Sequence, residues 1–453
     1  MPTHAPNVLM VTCHDLGRFL GYYGVTTVRT PRLDAFAATG VSFTRAFCTA
    51  PQCSPSRASL YTGRYPHTNG MMGLAHADFA WDLHPDERLL GQVLHDAGYA
   101  TRLVGVHHES RRDHPDEIAR RCGMNAVSFE EWGDAVTARA RAHLTQFARD
   151  SRPFYLQVGY SEPHRLSASI RQEPGYTGFL GDYLAPDAEH GVTVPPYLRD
   201  TPSTRQEMAE LQGAVHYVDG QIGALLDHLH DLGLDDDTLV IFTTDHGVAM
   251  PRAKCALYDP GLEVALMMRL PQRGWVSGQA YDALLSNVDV FPTILDTLGL
   301  PVSDTVQGRS FRALIDDVTS GETYVPRDCV FGEMTYHDYY DPRRCIRTTR
   351  HKLIVNFTAA PAFMDPSQSW RPRADTAVPA NPALAYHPLV ELYDLAADPW
   401  EQHDRADDPA AAATRADLLA RLGGWMRDTG DPLLRGAVTS PLHERAVAAL
   451  GGP

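Results

Sequence analysis

The sequence predicts an α/β fold, a large and mostly parallel sheet flanked by helices, and three observations carry that prediction. Short apolar runs recur at Asn7–Thr12, Tyr99–Gly105, Pro153–Tyr160 and Thr238–Thr244, and unbroken runs of that length suit strands covered on both faces. Helical patterns fall between them, the alternation that builds parallel sheets. Each run also ends in polar side chains, at the strand ends where ligands of open α/β sheets collect. With 453 residues, 43% of them hydrophobic, the chain can bury the core of one large domain plus a small one.

Asn7–Thr12 delivers Cys13-His14-Asp15-Leu16-Gly17. Thr30 and Pro31 then open a helix through Ala37, with a threonine cap and proline in the first turn, and Gly40 ends it. Val41–Phe47 reads as a strand, followed by Cys53-Ser-Pro-Ser-Arg57-Ala-Ser-Leu-Tyr-Thr-Gly-Arg64. Pro55 suits a first helical turn, and Ser54 and Ser56 are good capping residues. Cys53 would then sit where unpaired backbone N–H groups point outward, with Arg57 one turn on; both features stabilise an anion and acidify a thiol. Asp86–Leu94 is the next amphipathic helix, stopped by Gly98.

Tyr99–Gly105 ends in Val106-His107-His108-Glu109-Ser110, and Pro153–Tyr160 in Ser161-Glu162-Pro163-His164-Arg165. Residues 166–204 are rich in Pro, Gly, Tyr and Asp without periodicity, as expected of a lid or binding loop. Leu211, Val215, Val218, Ile222, Leu225 and Leu229 recur at helical spacing and mark one face of a long helix; its His216 and Asp219 are expected to be solvated. Thr238–Thr244 is the strongest strand and ends in Asp245-His246-Gly247; Lys254 and Leu257-Tyr258-Asp259-Pro260-Gly261 follow. A strand at Val264–Arg269 and a helix at Asp289–Leu298 precede a segment of different rhythm. There Cys345–Phe357 reads as a hairpin, Glu391–Glu401 as strand and turn, and Thr414–Met426 as a helix.

A net charge of -16 argues against nucleic acid, although a local basic pocket for an anionic ligand stays open. The 21 histidines are a large stock of proton carriers and metal ligands. The first residues lack a signal-peptide pattern and no stretch reaches membrane-spanning length, so a soluble, cytoplasmic protein is expected. Seven cysteines, odd in number and without a Cys-x-x-Cys pair, fit a reduced compartment.

The twelve residues Cys53–Arg64 resemble the signature of the type I, formylglycine-dependent sulfatases of the alkaline phosphatase-like superfamily. Cys-Ser-Pro-Ser-Arg-Ala-Ser-Leu, Pro163-His164-Arg165 and Leu257-Tyr258-x-Pro260-Gly261 together resemble the sulfamidase branch, the N-sulfoglucosamine sulfohydrolases. The resemblance runs from Asn7 to about Met426. It implies a catalytic domain over 1–330 and a C-terminal subdomain over 331–453, an antiparallel sheet plus a helix. It also implies a sulfate ester or N-sulfate of a sugar as substrate, and a formylglycine-generating enzyme as maturation partner; a homo-oligomer stays open.

By resemblance, Cys53 becomes formylglycine, whose hydrate is the nucleophile, and Arg57 neutralises the developing alkoxide. Asp15, Asp245 and His246 would hold one divalent cation together with residue 53. Calcium is the first expectation, but His14 stands where the family has a carboxylate. An imidazole there either lies outside the metal shell or moves preference towards Mn²⁺ or Zn²⁺. His164 or Lys254 would assist the leaving group, and His108 would serve as base when the covalent sulfo-enzyme releases sulfate. Lys254 and His164 would also bind substrate. Val106 replaces a sulfate-binding lysine of the family, and His107, Arg111 or Arg112 are candidates to compensate; His337 is a minor candidate for the pocket rim. Two rival readings are a phosphonate monoester or phosphodiester hydrolase of the same superfamily and an inactive binding homologue.

Overall fold

Eight strands form the main sheet, in the spatial order Ala126–Ser128, Ala100–Gly105, Phe154–Tyr160, Asn7–Cys13, Thr238–Thr244, Leu266–Arg269, Val41–Phe43 and Gln279–Tyr281. They belong to a computed structural model that describes residues 5–76, 79–112, 114–130, 132–165, 178–179, 184–316, 324–360 and 386–451. The four apolar runs are four adjacent parallel strands. Their registers pair Gly105 with Gly159, Cys13 with Tyr160 and Cys13 with Thr244. All four therefore end level, and the polar segments that follow them lie side by side. Leu266–Arg269 alone runs against its neighbours, so the sheet is mixed.

Side chains alternate between two cores, as a pleated strand requires. Leu9, Val11, Val240 and Phe242 face helices Pro31–Ala38, Gly133–Phe147 and Pro202–Asp231. Val8, Met10, Leu239 and Ile241 face the opposite layer, which includes helices Cys53–Thr62, Leu90–Asp96 and Val290–Thr297. The six apolar residues at helical spacing in Pro202–Asp231 are all buried, as their spacing predicts.

Several expectations need correction. Asp219 is not solvated: it is buried and accepts the backbone N–H groups of Arg32 (3.1 Å) and Leu33 (2.8 Å), capping the Pro31–Ala38 helix from outside. His216 is half-buried, its Nδ1 3.0 Å from the Arg29 carbonyl. The helix expected from Asp86 starts only at Leu90, where Gln92 Oε1 accepts the Leu89 N–H. Val41–Phe47 is two strands: Val41–Phe43 stays in the main sheet, while Ala46–Phe47 pairs with Leu285–Ser286. Much of 166–204 lies outside the described residues.

Four antiparallel strands, Cys329–Tyr336, Tyr340–Thr348, His351–Asn356 and Val390–Asp394, make the second large sheet. Helix Ala412–Asp428 buries Leu418, Leu422, Trp425 and Met426 against it. The 330/331 boundary falls inside the first of these strands. Val330, Met334, Cys345 and Ile354 join the same hydrophobic cluster as Ala58, Leu60 and Tyr61 of helix Cys53–Thr62, so the two sheets share a core. Among the described residues no helix is long and apolar enough to cross a membrane.

Candidate active site

Helix Cys53–Thr62 begins at Cys53, with Gln52 extended before it, and every residue in it is buried. Ser54 and Ser56 do not cap it. The Ser54 hydroxyl accepts the Ala75 N–H (3.0 Å), and the Ser56 hydroxyl donates to the Asp245 carbonyl. Asn287 Nδ2 donates to Ser56 O and Oγ, both at 3.0 Å. Ser56 thus lashes the helix to the loop after Thr238–Thr244, and Ser54 ties it to the loop at Ala75, which sets Cys53 over the strand ends.

There the Cys53 Sγ lies 3.5 Å from His246 Nε2 and 3.9 Å from His14 Nδ1. Donor atoms of His14, Asp15, Cys53, Asp245 and His246 all lie within 4.8 Å of one another. His246 Nδ1 donates to the Gly247 carbonyl (2.9 Å), which turns Nε2 towards the cluster. Asp15 sits in the left-handed region at φ 56°, pinned by its N–H to Asp245 Oδ1 (2.9 Å). An Asp tolerates that conformation, and here it turns the carboxylate inward. His14 Nδ1 reaches Asp15 Oδ1 at 2.8 Å and Asp245 Oδ2 at 3.2 Å.

Burial opposes ionisation of Asp15, but Lys254, with Nζ 2.7 Å away, and the surrounding histidines hold it well below the usual carboxylate range. Burial likewise opposes protonation of His14 and His246; Asp245 foremost overcomes it, raising them to about 9 and about 10. Burial pushes the Cys53 thiol up, yet His14 and Lys254 outweigh it and hold it well below its ordinary value. Residue 53 is therefore a place where negative charge is stabilised. Burial drives His108 down to about 3, so its imidazole is neutral.

Arg57 is fully buried, with Nε 3.2 Å from Asp245 Oδ2 and Nη1 3.7 Å from Glu109 Oε1. The pairing orients a carboxylate of the cluster, and Arg57 also interacts electrostatically with Cys53. Glu109 is a buried residue that sequence reasoning missed. It accepts from Gln157 Nε2 (3.3 Å) and from the His108 N–H (3.1 Å). His107 Nδ1 lies 2.8 Å from Glu109 Oε2. His107 is not among the residues that line the cavity over Cys53, where a substrate contact was expected. Arg111 and Arg112 pair with Asp82 near the surface (3.3 and 3.7 Å), also outside the pocket lining.

A cavity of about 340 Å³ opens over Cys53. His14, His108, His164, Lys254, Val106 and His337 line it. Lys254 Nζ lies 3.4 Å from His164 Nε2, and His164 Nδ1 is 2.7 Å from the Arg165 carbonyl. His76, Trp132 and Leu74 also line it. They were not singled out from sequence, because they sit on loops without periodicity; the Ser54 bond to Ala75 is what brings His76 in.

The sulfatase family matches residues 6–300, and the C-terminal family of N-sulphoglucosamine sulphohydrolase matches residues 251–365. The chain belongs to the sulfatase family. It is 30% identical to human N-sulphoglucosamine sulphohydrolase over 94% of this chain and 91% of the relative. An ulvan-active sulfatase of Formosa agariphila is 26% identical over 94% and 75%. The fold is that of yidJ from Bacteroides fragilis, with a TM-score of 0.73 at 20% identity over 97% of this chain and 99% of that one. This chain is accordingly a sulfuric ester hydrolase of alkaline phosphatase-like fold.

The site of this sulfatase suits a metal ion on its own chemistry. Two buried carboxylates converge with imidazole nitrogens, and their field is strong enough to hold protons on both His14 and His246. A cation bound among Asp15, Asp245, His246 and His14 would satisfy those carboxylates instead of the protons.

Proposed function

We propose that this enzyme removes sulfate, as ester or N-sulfate, from a sugar, using formylglycine made from Cys53 and one divalent cation. The observation that carries the reading is the packing of Cys53 against Asp15, Asp245, His246 and His14 at the floor of a cavity whose wall bears Lys254 and His164. The similarity to human N-sulphoglucosamine sulphohydrolase and to an ulvan-active sulfatase supports a sulfated saccharide.

In its hydrated form the aldehyde supplies an oxygen nucleophile, and a bound cation supplies Lewis-acid polarisation of sulfuryl oxygens. Lys254 neutralises charge on the substrate side while staying paired to Asp15. His164, beside Lys254, is placed to give a proton to the departing oxygen or nitrogen once it is itself protonated, which burial opposes by lowering its pKa. His108, neutral and hydrogen-bonded through Nδ1 to His14 (3.2 Å), is placed to take one from residue 53. Arg57 fixes Asp245 and adds positive charge beneath the site. Carboxylate oxygens admit Ca²⁺ and the imidazoles favour Mn²⁺ or Zn²⁺, so metal analysis of the purified protein decides the ion. The odd number of cysteines without a Cys-x-x-Cys pair supports the reading of a reduced, cytoplasmic location.

The test is turnover of glucosamine N-sulfate, glucosamine 6-sulfate and a phenyl phosphonate monoester by protein matured with a formylglycine-generating enzyme. Faster hydrolysis of either sulfated sugar supports the reading. A preference for the phosphonate, which the apolar Val106 in the cavity wall would favour, replaces it with the phosphonate hydrolase.

A further inference from the structure

The wall of the cavity over Cys53 carries one lysine, five imidazoles and no carboxylate among the described residues, in a chain of net charge -16. Four of the imidazoles follow one another in a row. His164 and His14 have ring centroids 4.5 Å apart, His14 and His108 5.0 Å, and His108 and His76 4.8 Å. Lys254 closes one end of the row, beside His164, and His76 closes the other.

A sulfuryl group presents non-bridging oxygens on more than one side, and each one brought out of water needs a donor. Lys254 and His164 serve one side. On the other, Val106 and Leu74 are apolar and offer nothing. His108 is committed to His14 and, through its side chain, to Cys53. His76 remains. It is solvent-exposed, and its ring is stacked on His108 at an interplanar angle of 29°, which holds its edge at the cavity. An imidazole carries at least one N–H in either charge state, so it can donate there whether or not it is protonated.

We propose that His76 is a substrate-binding residue, donating an N–H to the sulfuryl oxygens on the side where Val106 gives no contact. The proposal rests on the sulfatase reading of the same site. The test compares wild type with His76→Ala, His76→Gln and the double variant His76→Ala/Val106→Lys, each first shown by peptide mass to carry formylglycine. A hydrogen bond to a charged group corresponds to about tenfold in binding. For His76→Ala, KM for 4-nitrophenyl sulfate and the inhibition constant of inorganic sulfate should both rise by about that factor, with kcat changed far less. His76→Gln, which keeps an N–H donor, should recover most of the loss, and Val106→Lys should do so from the same side.

An unchanged KM and inhibition constant in His76→Ala would overturn the proposal. So would a rise that neither His76→Gln nor Val106→Lys repairs, since that is the signature of a merely structural role. If wild type hydrolyses the phosphonate ester and not the sulfate, the sulfatase reading has failed. The same KM comparison on the phosphonate, also an anion, then supports or rejects the contact at His76 independently.

Discussion

At the scale of single residues, the site works by placing fixed charges so that residue 53 and the cluster beneath it are electrostatically matched. His164 is the residue whose loss should depend on the leaving group. His164→Ala is expected to lower kcat/KM by about 10²–10⁴ on a sulfated sugar, and much less on 4-nitrophenyl sulfate, whose leaving group needs no proton. Equal losses on both substrates would remove it as proton donor. Glu109 gives a pH signature. Burial raises its pKa, but His107 and Arg57 overcome that and hold it at about 2, below its ordinary 4.5. A depressed carboxyl contributes stability that is complete above about pH 4.5 and is lost as the pH falls towards 2. The difference corresponds to about 3 kcal/mol at neutral pH. Glu109→Gln should therefore be less stable at pH 7 and lose less on acidification, as read by urea unfolding at several pH values.

At the scale of elements, what the sequence made legible follows from periodicity. The four central strands are continuous apolar runs, and their ends carry Asp15, His108, His164 and Asp245. Because they are adjacent and in level register, reading the strands also located most of the site. Three-residue strands such as Ala126–Ser128 and Gln279–Tyr281 are too short to show a period. Glu109, His76 and Trp132 sit in loops, where spacing carries no information about direction. Asp219 was misread because helical spacing identifies an apolar face and says nothing of a polar residue facing a neighbouring helix end. That residue offers a test free of the chemistry: Asp219→Ala uncaps Pro31–Ala38 and should cost about 1–2 kcal/mol in urea unfolding, with kcat/KM unchanged. No loss of stability would contradict the capping role.

At the scale of the whole molecule, buried ion pairs join the second sheet to the catalytic loops. Lys352, on His351–Asn356, is fully buried; its Nζ contacts Asp259, five residues after Lys254, and lies 3.0 Å from Glu401 Oε1. Arg347 adds a second cation to Asp259 at 3.0 Å. Lys352→Met would leave buried carboxylates undercompensated and should cost about 3–5 kcal/mol, lowering the urea midpoint. A variant as stable as wild type would show that the link between the two sheets is carried by their shared apolar core alone.

The catalytic expectations presuppose what happens to residue 53, and that can be measured directly. The mass of the peptide spanning Cys53, taken from protein coexpressed with a formylglycine-generating enzyme, should be that of the aldehyde, with sulfatase activity rising in proportion to the converted fraction. A plain thiol mass in protein that still hydrolyses sulfate would contradict the account, since the nucleophile would then be something other than a hydrated aldehyde at this position.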